Sequence, residues 1–471
     1  MDNSYLTKIS ATELGGLISN KNLSPVEVTQ AYLDRIDQFD ASLKAFITVC
    51  HDSAIESAKS AEQALIKGQG IGALHGLPFA VKDQFETKGI LTTAGSRILA
   101  DYIPNRDATT VSRSKNAGAI LIGKLNLTQF AAGGGDHYPF GEARNPWNTE
   151  FTPGLSSSGS GIAIAASLAS LTLGEDTGGS IRMPASINGI VGLRPTWGLV
   201  SRYGVIPFCW SMDTAGPMTR TVEDAAMLLN VISGYDPMDR YTSKMPISNY
   251  VAHLTDDIRG LRIGVLKEFT NQEIVHKDVL SSMKAAISDL EKLGASVEEV
   301  SLPLLSNISI VAASISESDG AFYHRKWLLE RPNDYGHNTR RRLLAGSLIP
   351  AQIVHKAARI RTAFSHEWAK LHEKFDVLIS PTMLNPAGKI EHVEKVTERE
   401  DAAKKFGQVN SPSFPAAFVG IPALSIPCGF SNEGLPIGLQ IMAKRFQDAL
   451  VLKVGHAFQT VTDWHNKRPS V

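Results

Sequence analysis

The chain is predicted to be an α/β protein, and two observations carry that prediction. Short apolar runs bounded by glycine or proline alternate with longer stretches of helical periodicity, an order typical of α/β domains. Residues 261–302 then give a strand, an amphipathic helix and a second strand, which together predict a β-α-β unit. The alternating strand-like and helical segments before them are 77–81, 108–116, 119–122, 161–169 and 190–193.

The first helix that can be predicted in detail begins near residue 25. Ser24 is a good N-cap, Pro25 takes the first helical position, and Glu27 completes a capping box. Apolar residues then recur at helical spacing, so one face is expected to pack while the rest is solvated. These apolar residues are Val28, Tyr32, Ile36 and Phe39.

The C-terminal part is predicted to be helical first and strand-rich afterwards. Charge-rich helical sequence fills 310–375, and strand-like runs follow at 377–379, 423–426 and 437–441. No low-complexity linker or internal repeat interrupts the chain, which favours a single domain over 1–471. Residues 385–405, rich in glutamate and lysine, are predicted to form a mobile surface loop.

Composition limits the possible partners and compartments. Lys plus Arg and Asp plus Glu both number 47, so no overall field attracts nucleic acid or an anionic membrane. The three cysteines form no paired short spacing, which fits a reducing compartment and a cytoplasmic location. The N-terminus lacks a signal-peptide pattern, and the longest charge-free apolar stretch, 162–173, is too short to span a bilayer.

Two serine- and glycine-rich loops carry the predicted chemistry. The first spans 153–161, and the second spans 176–182, where Gly178 and Gly179 lead directly into Ser180. A serine on a glycine-rich turn has an accessible hydroxyl, and the backbone N–H groups around it can hold a developing oxyanion. This pattern indicates acyl transfer.

The base that activates such a serine is less evident. No histidine lies in either loop, although any of the 13 histidines could approach from elsewhere in the chain. The other candidate is Lys82, which closes the apolar run 76–81, because burial disfavours an ammonium and can lower a lysine pKa by up to about 3–5 units. A purely structural alternative is that Lys82 pairs with Asp83 at the end of a strand.

Three blocks of this sequence resemble the amidase signature family of serine hydrolases. They are 74–83 (LHGLPFAVKD), the two serine loops continued to residue 196, and 216–224, with 145–147 and 434–440 also fitting. The resemblance covers nearly the whole chain, with a signature core at about 74–224 and a variable substrate-pocket region at about 300–410. It implies a large, mixed, twisted β-sheet covered by helices on both faces.

The resemblance also implies roles for individual residues. Carried over position by position, the Ser–cisSer–Lys triad falls on Ser180, Ser156 and Lys82, with a cis peptide bond before Ser156. Neutral Lys82 then takes a proton from Ser156, Ser156 takes one from Ser180, and Ser180 attacks the amide carbonyl to form an acyl-enzyme. The expected oxyanion hole consists of the backbone N–H groups of Thr177, Gly178, Gly179 and Ser180.

Weaker signals have both a functional and a structural interpretation. The loop of Gly133, Gly134 and Gly135 is a candidate border of the substrate, or else a tight surface turn. Trp210 is a candidate wall of the acyl pocket, or else a core residue. Ser157 is expected to hold its loop by hydrogen bonds, and Asp176 and Arg182 are expected to pair beside the nucleophile turn. The sequence has neither metal-ligand spacing nor a phosphate-binding loop, so we expect no metal and no cofactor.

The function predicted from these residues is hydrolysis of a small carboxamide to an acid and ammonia or an amine, through an acyl-serine. The alternative within the family is the A subunit of a glutamyl-tRNA(Gln) amidotransferase, the glutaminase component of a complex. The stretch 201–204 is shared with those subunits, whereas Met183 and 208–214 are more similar to stand-alone amidases. The expected partner is a small amide, with no nucleic acid, no membrane, and a homodimer as one option.

Overall fold

The computed structural model describes residues 3–69, 72–132, 137–154, 156–390 and 411–471. Across these ranges, eleven β-strands join in one sheet. In chain order the strands are β1 (Phe46–Val49), β2 (Pro78–Lys82), β3 (Ile120–Leu125), β4 (Leu171–Glu175), β5 (Val191–Arg194), β6 (Ala215–Thr219), β7 (Arg262–Leu266), β8 (Ser296–Val300), β9 (Val377–Pro381), β10 (Ala423–Phe430) and β11 (Pro436–Met442).

The α-helices alternate with these strands in the first half of the chain and cluster between β8 and β9. They are α1 (Asn3–Leu6), α2 (Ala11–Ser19), α3 (Pro25–Leu43), α4 (His51–Ile66), α5 (Thr109–Asn116), α6 (Ser158–Ala165), α7 (Arg182–Asn188), α8 (Val222–Ile232), α9 (Lys277–Lys292), α10 (Ile308–Glu330), α11 (His337–Ser347), α12 (Ala351–Lys374), α13 (Phe414–Val419) and α14 (Asp448–Val461).

The sheet is mixed, with parallel pairs towards its ends and antiparallel pairs in the middle. Its strand order is β1-β3-β2-β4-β6-β5-β10-β11-β9-β7-β8. Strands β3, β2 and β4 run parallel, as do β9, β7 and β8, while the strands from β4 through β6, β5, β10 and β11 to β9 pair antiparallel. The parallel neighbours β2 and β4 therefore end at the same edge of the sheet, side by side.

Helices cover both faces of the sheet, as the alternation along β10 demonstrates. Gly455 of α14 lies against Leu424. The next residue, Ser425, lies beside Gly438 of β11 together with Ser186 of α7. Because successive side chains of a strand point to opposite faces, α14 and α7 cover opposite faces. The predicted α/β fold with a large mixed sheet is confirmed.

Most predicted elements have their expected positions. Helix α3 begins with the predicted capping box at Ser24 and Glu27, and it buries Val28, Tyr32 and Ile36. Strands β7 and β8 flank α9 and pair in parallel, as a β-α-β unit requires. The predicted loop at 385–405 falls largely outside the described residues.

Two departures have physical causes. Helix α6 covers 158–165 rather than 161–169, because its residues are buried all round and so provide no amphipathic period from which to place its ends. Strand β6 was not predicted, because Gly216 and Pro217 disfavour a central strand, yet Pro217 pairs with Leu173 inside the sheet. Among the described helices, none is both long and apolar enough to cross a membrane.

Candidate active site

Lys82 is the last residue of β2, a strand that is buried along its whole length. The neighbouring Asp83 points elsewhere and pairs with Lys124, with Asp83 Oδ1 at 2.9 Å from Lys124 Nζ and both side chains fully buried. Successive residues at a strand end diverge in this way because their side chains alternate in direction. The structural alternative, in which Lys82 pairs with Asp83, is therefore wrong.

The amine of Lys82 lies between the two serine loops. Its Nζ is 2.5 Å from Ser156 Oγ, 3.2 Å from Glu175 Oε2 and 3.3 Å from the backbone oxygen of Glu175. Burial lowers the pKa of Lys82, and the carboxylate of Glu175 opposes that shift without cancelling it. The site thus brings together a lysine of weakened charge and a buried serine hydroxyl.

The topology of the sheet explains why these groups meet. Lys82 ends β2 and Glu175 ends β4, and the two strands are parallel neighbours. The Ser156 loop is held against the same strand end, because Ser157 Oγ donates to the backbone oxygen of Glu175 and accepts from its N–H. The predicted structural role of Ser157 is confirmed. The peptide bond before Ser156 involves Leu155, which lies outside the described residues.

The turn that carries Ser180 is built around the buried carboxylate of Asp176. Arg182 donates to both of its oxygens, and Arg194 donates to Oδ1 at 2.9 Å. The backbone N–H groups of Gly179 and Ile181 complete its shell. Burial alone raises the pKa of Asp176, but the two guanidinium groups outweigh it and hold the pKa well below its usual range. The predicted pairing of Asp176 with Arg182 is confirmed, and Arg194 joins it.

Gly178 and Gly179 leave no room for side chains on this turn. Gly179 has a φ of +129°, and a Cβ added there would lie 2.5 Å from Ser413 Cβ. A Cβ on Gly178 would lie 3.0 Å from the ring of Phe414. The N–H of Gly179 donates to Asp176 at 2.9 Å, so an oxyanion at this turn would have to share that donor. Ser180 itself is partly exposed, in contrast to the buried Ser156.

Sequence reasoning missed three side chains behind Lys82. Glu175 pairs with it directly, Thr177 Oγ1 lies 2.8 Å from Glu175 Oε1, and the same hydroxyl lies 2.7 Å from Asp213 Oδ1. Glu175 and Thr177 flank Asp176 in the sequence, so that position was the available signal. Asp213 is 36 residues further on from Thr177, and no local pattern places it here.

The structure does not bring the weaker candidates to this cluster. Trp210 is 48% exposed, and its ring contacts the guanidinium of Arg202 and the ring of Tyr241. It is therefore not a core residue. Gly133, Gly134 and Gly135 lie outside the described residues.

The surroundings of the two buried groups favour lysine over histidine as the base. Within the described ranges, the hydrogen-bond partners of Lys82 Nζ and Ser156 Oγ include no histidine. His75, near β2 in sequence, contacts the backbone oxygen of Ala61 instead. The described residues also contain no cluster of histidine, cysteine, aspartate or glutamate suited to a metal ion.

A buried lysine–serine pair beside a glycine-rich serine turn, at the edge of a mixed α/β sheet, defines a class of hydrolase-like sites. The chain matches the Amidase family over residues 27–452 and belongs to that family. This confirms the resemblance noted in the sequence.

Similar proteins include both components of complexes and stand-alone enzymes. The A subunit of glutamyl-tRNA(Gln) amidotransferase from Geobacillus kaustophilus (strain HTA426) is 39% identical over 486 residues, covering 98% of each chain. The crystal structure of the same component from Thermotoga maritima has a TM-score of 0.82 and 31% identity, over 98% of this chain and 97% of that one. Native peptide amidase from Stenotrophomonas maltophilia has a TM-score of 0.85 and 30% identity, over 98% of each.

These relatives correct the prediction about partners. A small amide, without nucleic acid and with a homodimer as one option, was expected from the balanced charge. The relatives at 39% identity are named for a tRNA and as one subunit of a larger enzyme. Balanced overall charge was a poor guide, because one subunit can leave the contact with nucleic acid to its partners.

Proposed function

We propose that this chain is the amide-hydrolysing component of an amidotransferase that acts on an aminoacyl-tRNA, similar to the A subunit of glutamyl-tRNA(Gln) amidotransferase. It would hydrolyse the side-chain amide of glutamine and supply the ammonia to a partner protein. The observation that carries the hydrolytic part is the buried contact between Lys82 Nζ and Ser156 Oγ. The identity of 39% along 98% of both chains supports a role within a complex of this kind.

In the proposed mechanism, Lys82, Ser156 and Ser180 form the catalytic triad. Lys82 in its neutral form accepts the proton of Ser156, and Ser156 accepts the proton of Ser180 as that serine attacks the amide carbon. The burial that lowers the pKa of Lys82 supports this role for the amine. The same relay then returns a proton to the departing ammonia, and water hydrolyses the acyl-serine.

The tetrahedral intermediate carries a negative oxygen, which needs donors fixed in advance. We assign these donors to backbone N–H groups of residues 177–180. Asp176 supports the assignment indirectly, because its bonds to the N–H groups of Gly179 and Ile181 hold the turn in one conformation. Loss of one such donor typically costs about 10²–10³ in rate.

A second candidate is hydrolysis of a free carboxamide without partner proteins. Met183 and the stretch 208–214 favour it, since they are more similar to stand-alone amidases, and so does the likeness to peptide amidase. Both functions use the same triad and differ in substrate and partners. The cytoplasmic location inferred from cysteine usage stays a prediction.

An assay of the purified chain with and without its partners separates the two functions. Ammonia release from glutamine would be measured for the chain alone, and again with candidate partner proteins and glutamyl-tRNA. We expect release from glutamine to rise strongly only in the complex. A panel of simple amides provides the comparison, and Ser180→Ala is the inactive control. Rapid hydrolysis of a simple amide by the chain alone, with no response to partners, would refute the proposed role in a complex.

A further inference from the structure

The hydroxyl of Thr177 bridges two buried carboxyl groups. Its Oγ1 is 2.8 Å from Glu175 Oε1 and 2.7 Å from Asp213 Oδ1. Glu175 is 0% exposed, Asp213 is 3% exposed and Thr177 is 8% exposed. Both distances are those of good O–H···O hydrogen bonds.

A threonine hydroxyl has a single proton, so it can donate to only one of these two oxygens. The other short contact requires a proton on the second carboxyl group, which then donates to Thr177. Two ionised carboxylates at this distance in a buried site would also repel each other strongly. The geometry therefore requires that Glu175 and Asp213 share one proton.

That proton belongs to Asp213 when the solution is acidic. Glu175 faces the amine of Lys82 and is stabilised as a carboxylate by it. Burial and the neighbouring Glu175 raise the pKa of Asp213 to about 7, although the hydroxyl of Thr177 and the N–H groups of Phe208 and Cys209 oppose the shift.

We propose that Asp213 is a positioning residue that controls the protonation of Lys82 through Thr177 and Glu175. The inference rests on the proposed function, since it assigns a control to the base of that same triad. It goes further in naming a residue outside both serine loops.

The protons can be followed through the chain of contacts. While Asp213 is protonated, it donates to Thr177, Thr177 donates to Glu175 Oε1, and Glu175 Oε2 holds Lys82 as an ammonium. When Asp213 loses its proton to solvent, the Thr177 hydroxyl turns towards the new carboxylate. Glu175 then loses a donor and faces a like charge, so it takes a proton from Lys82 across 3.2 Å. The neutral amine that remains can accept the proton of Ser156.

Other charged groups around Asp213 are fixed by their own partners. Asp176 is paired with Arg182 and Arg194, and Arg194 also donates to the backbone oxygen of Met212. The remaining neighbours are Cys209 beside it on the same loop, Arg361 of α12 bound to Ser211, and Asp319 of α10 bound to the N–H of Trp210. Burial raises the pKa of the Cys209 thiol well above its ordinary value. Asp213 is therefore the group of this cluster that titrates near neutrality.

The test is Asp213→Asn, which keeps the shape of the side chain. Its amide oxygen can accept from Phe208 and Cys209, and its NH₂ can donate to Thr177 at every pH. The variant should therefore stay in the state with Lys82 protonated. The readout is the rate at which a fluorophosphonate labels Ser180 between pH 5.5 and 9, with melting curves to confirm folding.

For the wild type we expect the labelling rate to rise about ten-fold between pH 6 and pH 8, as a group with a pKa of about 7 ionises. Asp213→Asn should match the wild type at pH 5.5 and remain about ten-fold slower at pH 8. A variant slowed by the same factor at every pH would overturn the inference, because it would show a merely structural role.

A matched pair at position 177 tests the same link without changing any charge. Thr177→Ser keeps the bridging hydroxyl and should keep the rise near pH 7, whereas Thr177→Val removes it and should abolish the rise. Identical profiles for the two variants would overturn the inference and leave the proposed function standing. Absence of labelling in the wild type at any pH would overturn both.

Discussion

Replacing Lys82 by methionine keeps most of the side-chain volume and removes one charge from a buried ion pair. In the wild type, Nζ is 3.2 Å from Glu175 Oε2, and the two side chains are 0% and 1% exposed. At an effective dielectric constant of about 20, the attraction across that distance is about 5 kcal/mol. Removal of one partner from a buried pair typically costs about 3–5 kcal/mol. We expect the free energy of unfolding to fall by about 3–5 kcal/mol at pH 8.

The loss should shrink on acidification, and the sign follows from proton binding. Without Lys82, the stranded Glu175 carboxyl is more stable when protonated, so the folded variant binds a proton that the unfolded chain at pH 8 does not. Stability that depends on a proton bound in the folded state increases as the pH falls. The difference from the wild type should therefore be smaller at pH 5.5 than at pH 8.

Urea unfolding at the two pH values measures both effects. Glu175→Gln and the double variant Lys82→Met/Glu175→Gln complete the cycle, and the double variant should be more stable than Lys82→Met at pH 8. If Lys82→Met were as stable as the wild type at both pH values, the buried ion pair would not exist, and Lys82 would be neutral in the resting protein.

Three further predictions concern the serine loops. Gly179→Ala should cost more stability than Gly434→Ala and abolish activity, because both glycines have positive φ but only position 179 meets a neighbouring Cβ at 2.5 Å; thermal melting compares them. Asp176→Asn should lower the free energy of unfolding by about 3–5 kcal/mol above pH 5, a difference that vanishes in acid as the depressed pKa of Asp176 is approached; urea titrations at several pH values check this. Ser180→Ala should abolish phosphonate labelling and Ser156→Ala should only slow it, as mass spectrometry of the adduct would show.

Local sequence patterns predicted those parts of the fold that local physics determines. Helix α3 has a capping box and an apolar stripe, so its start and buried face were both predictable. Lys82 was placed correctly at the end of a buried strand because an apolar run preceded it. The resemblance supplied the large mixed sheet, which the alternation of segments alone did not specify.

What could not be predicted depends on contacts between distant segments. Pro217 lies in a central strand because β4 and β5 flank it, although its own sequence disfavours a strand. Asp213 reaches Thr177 only because β6, which follows it, pairs antiparallel with β4. Periodicity contains no information about such pairings.

The carboxylate beside Lys82 also changes how the lysine should be understood as a base. Burial alone would make the amine neutral, but it would also make the ammonium formed during the reaction costly. Glu175 at 3.2 Å lowers the cost of that ammonium, which is why it opposes the effect of burial on the pKa of Lys82. A base must hold a proton for part of each cycle and release it again, so a balance between burial and one nearby charge suits the task better than either alone. Lys82 therefore functions as one half of a pair, and its basicity depends on whatever Glu175 contacts on the other side.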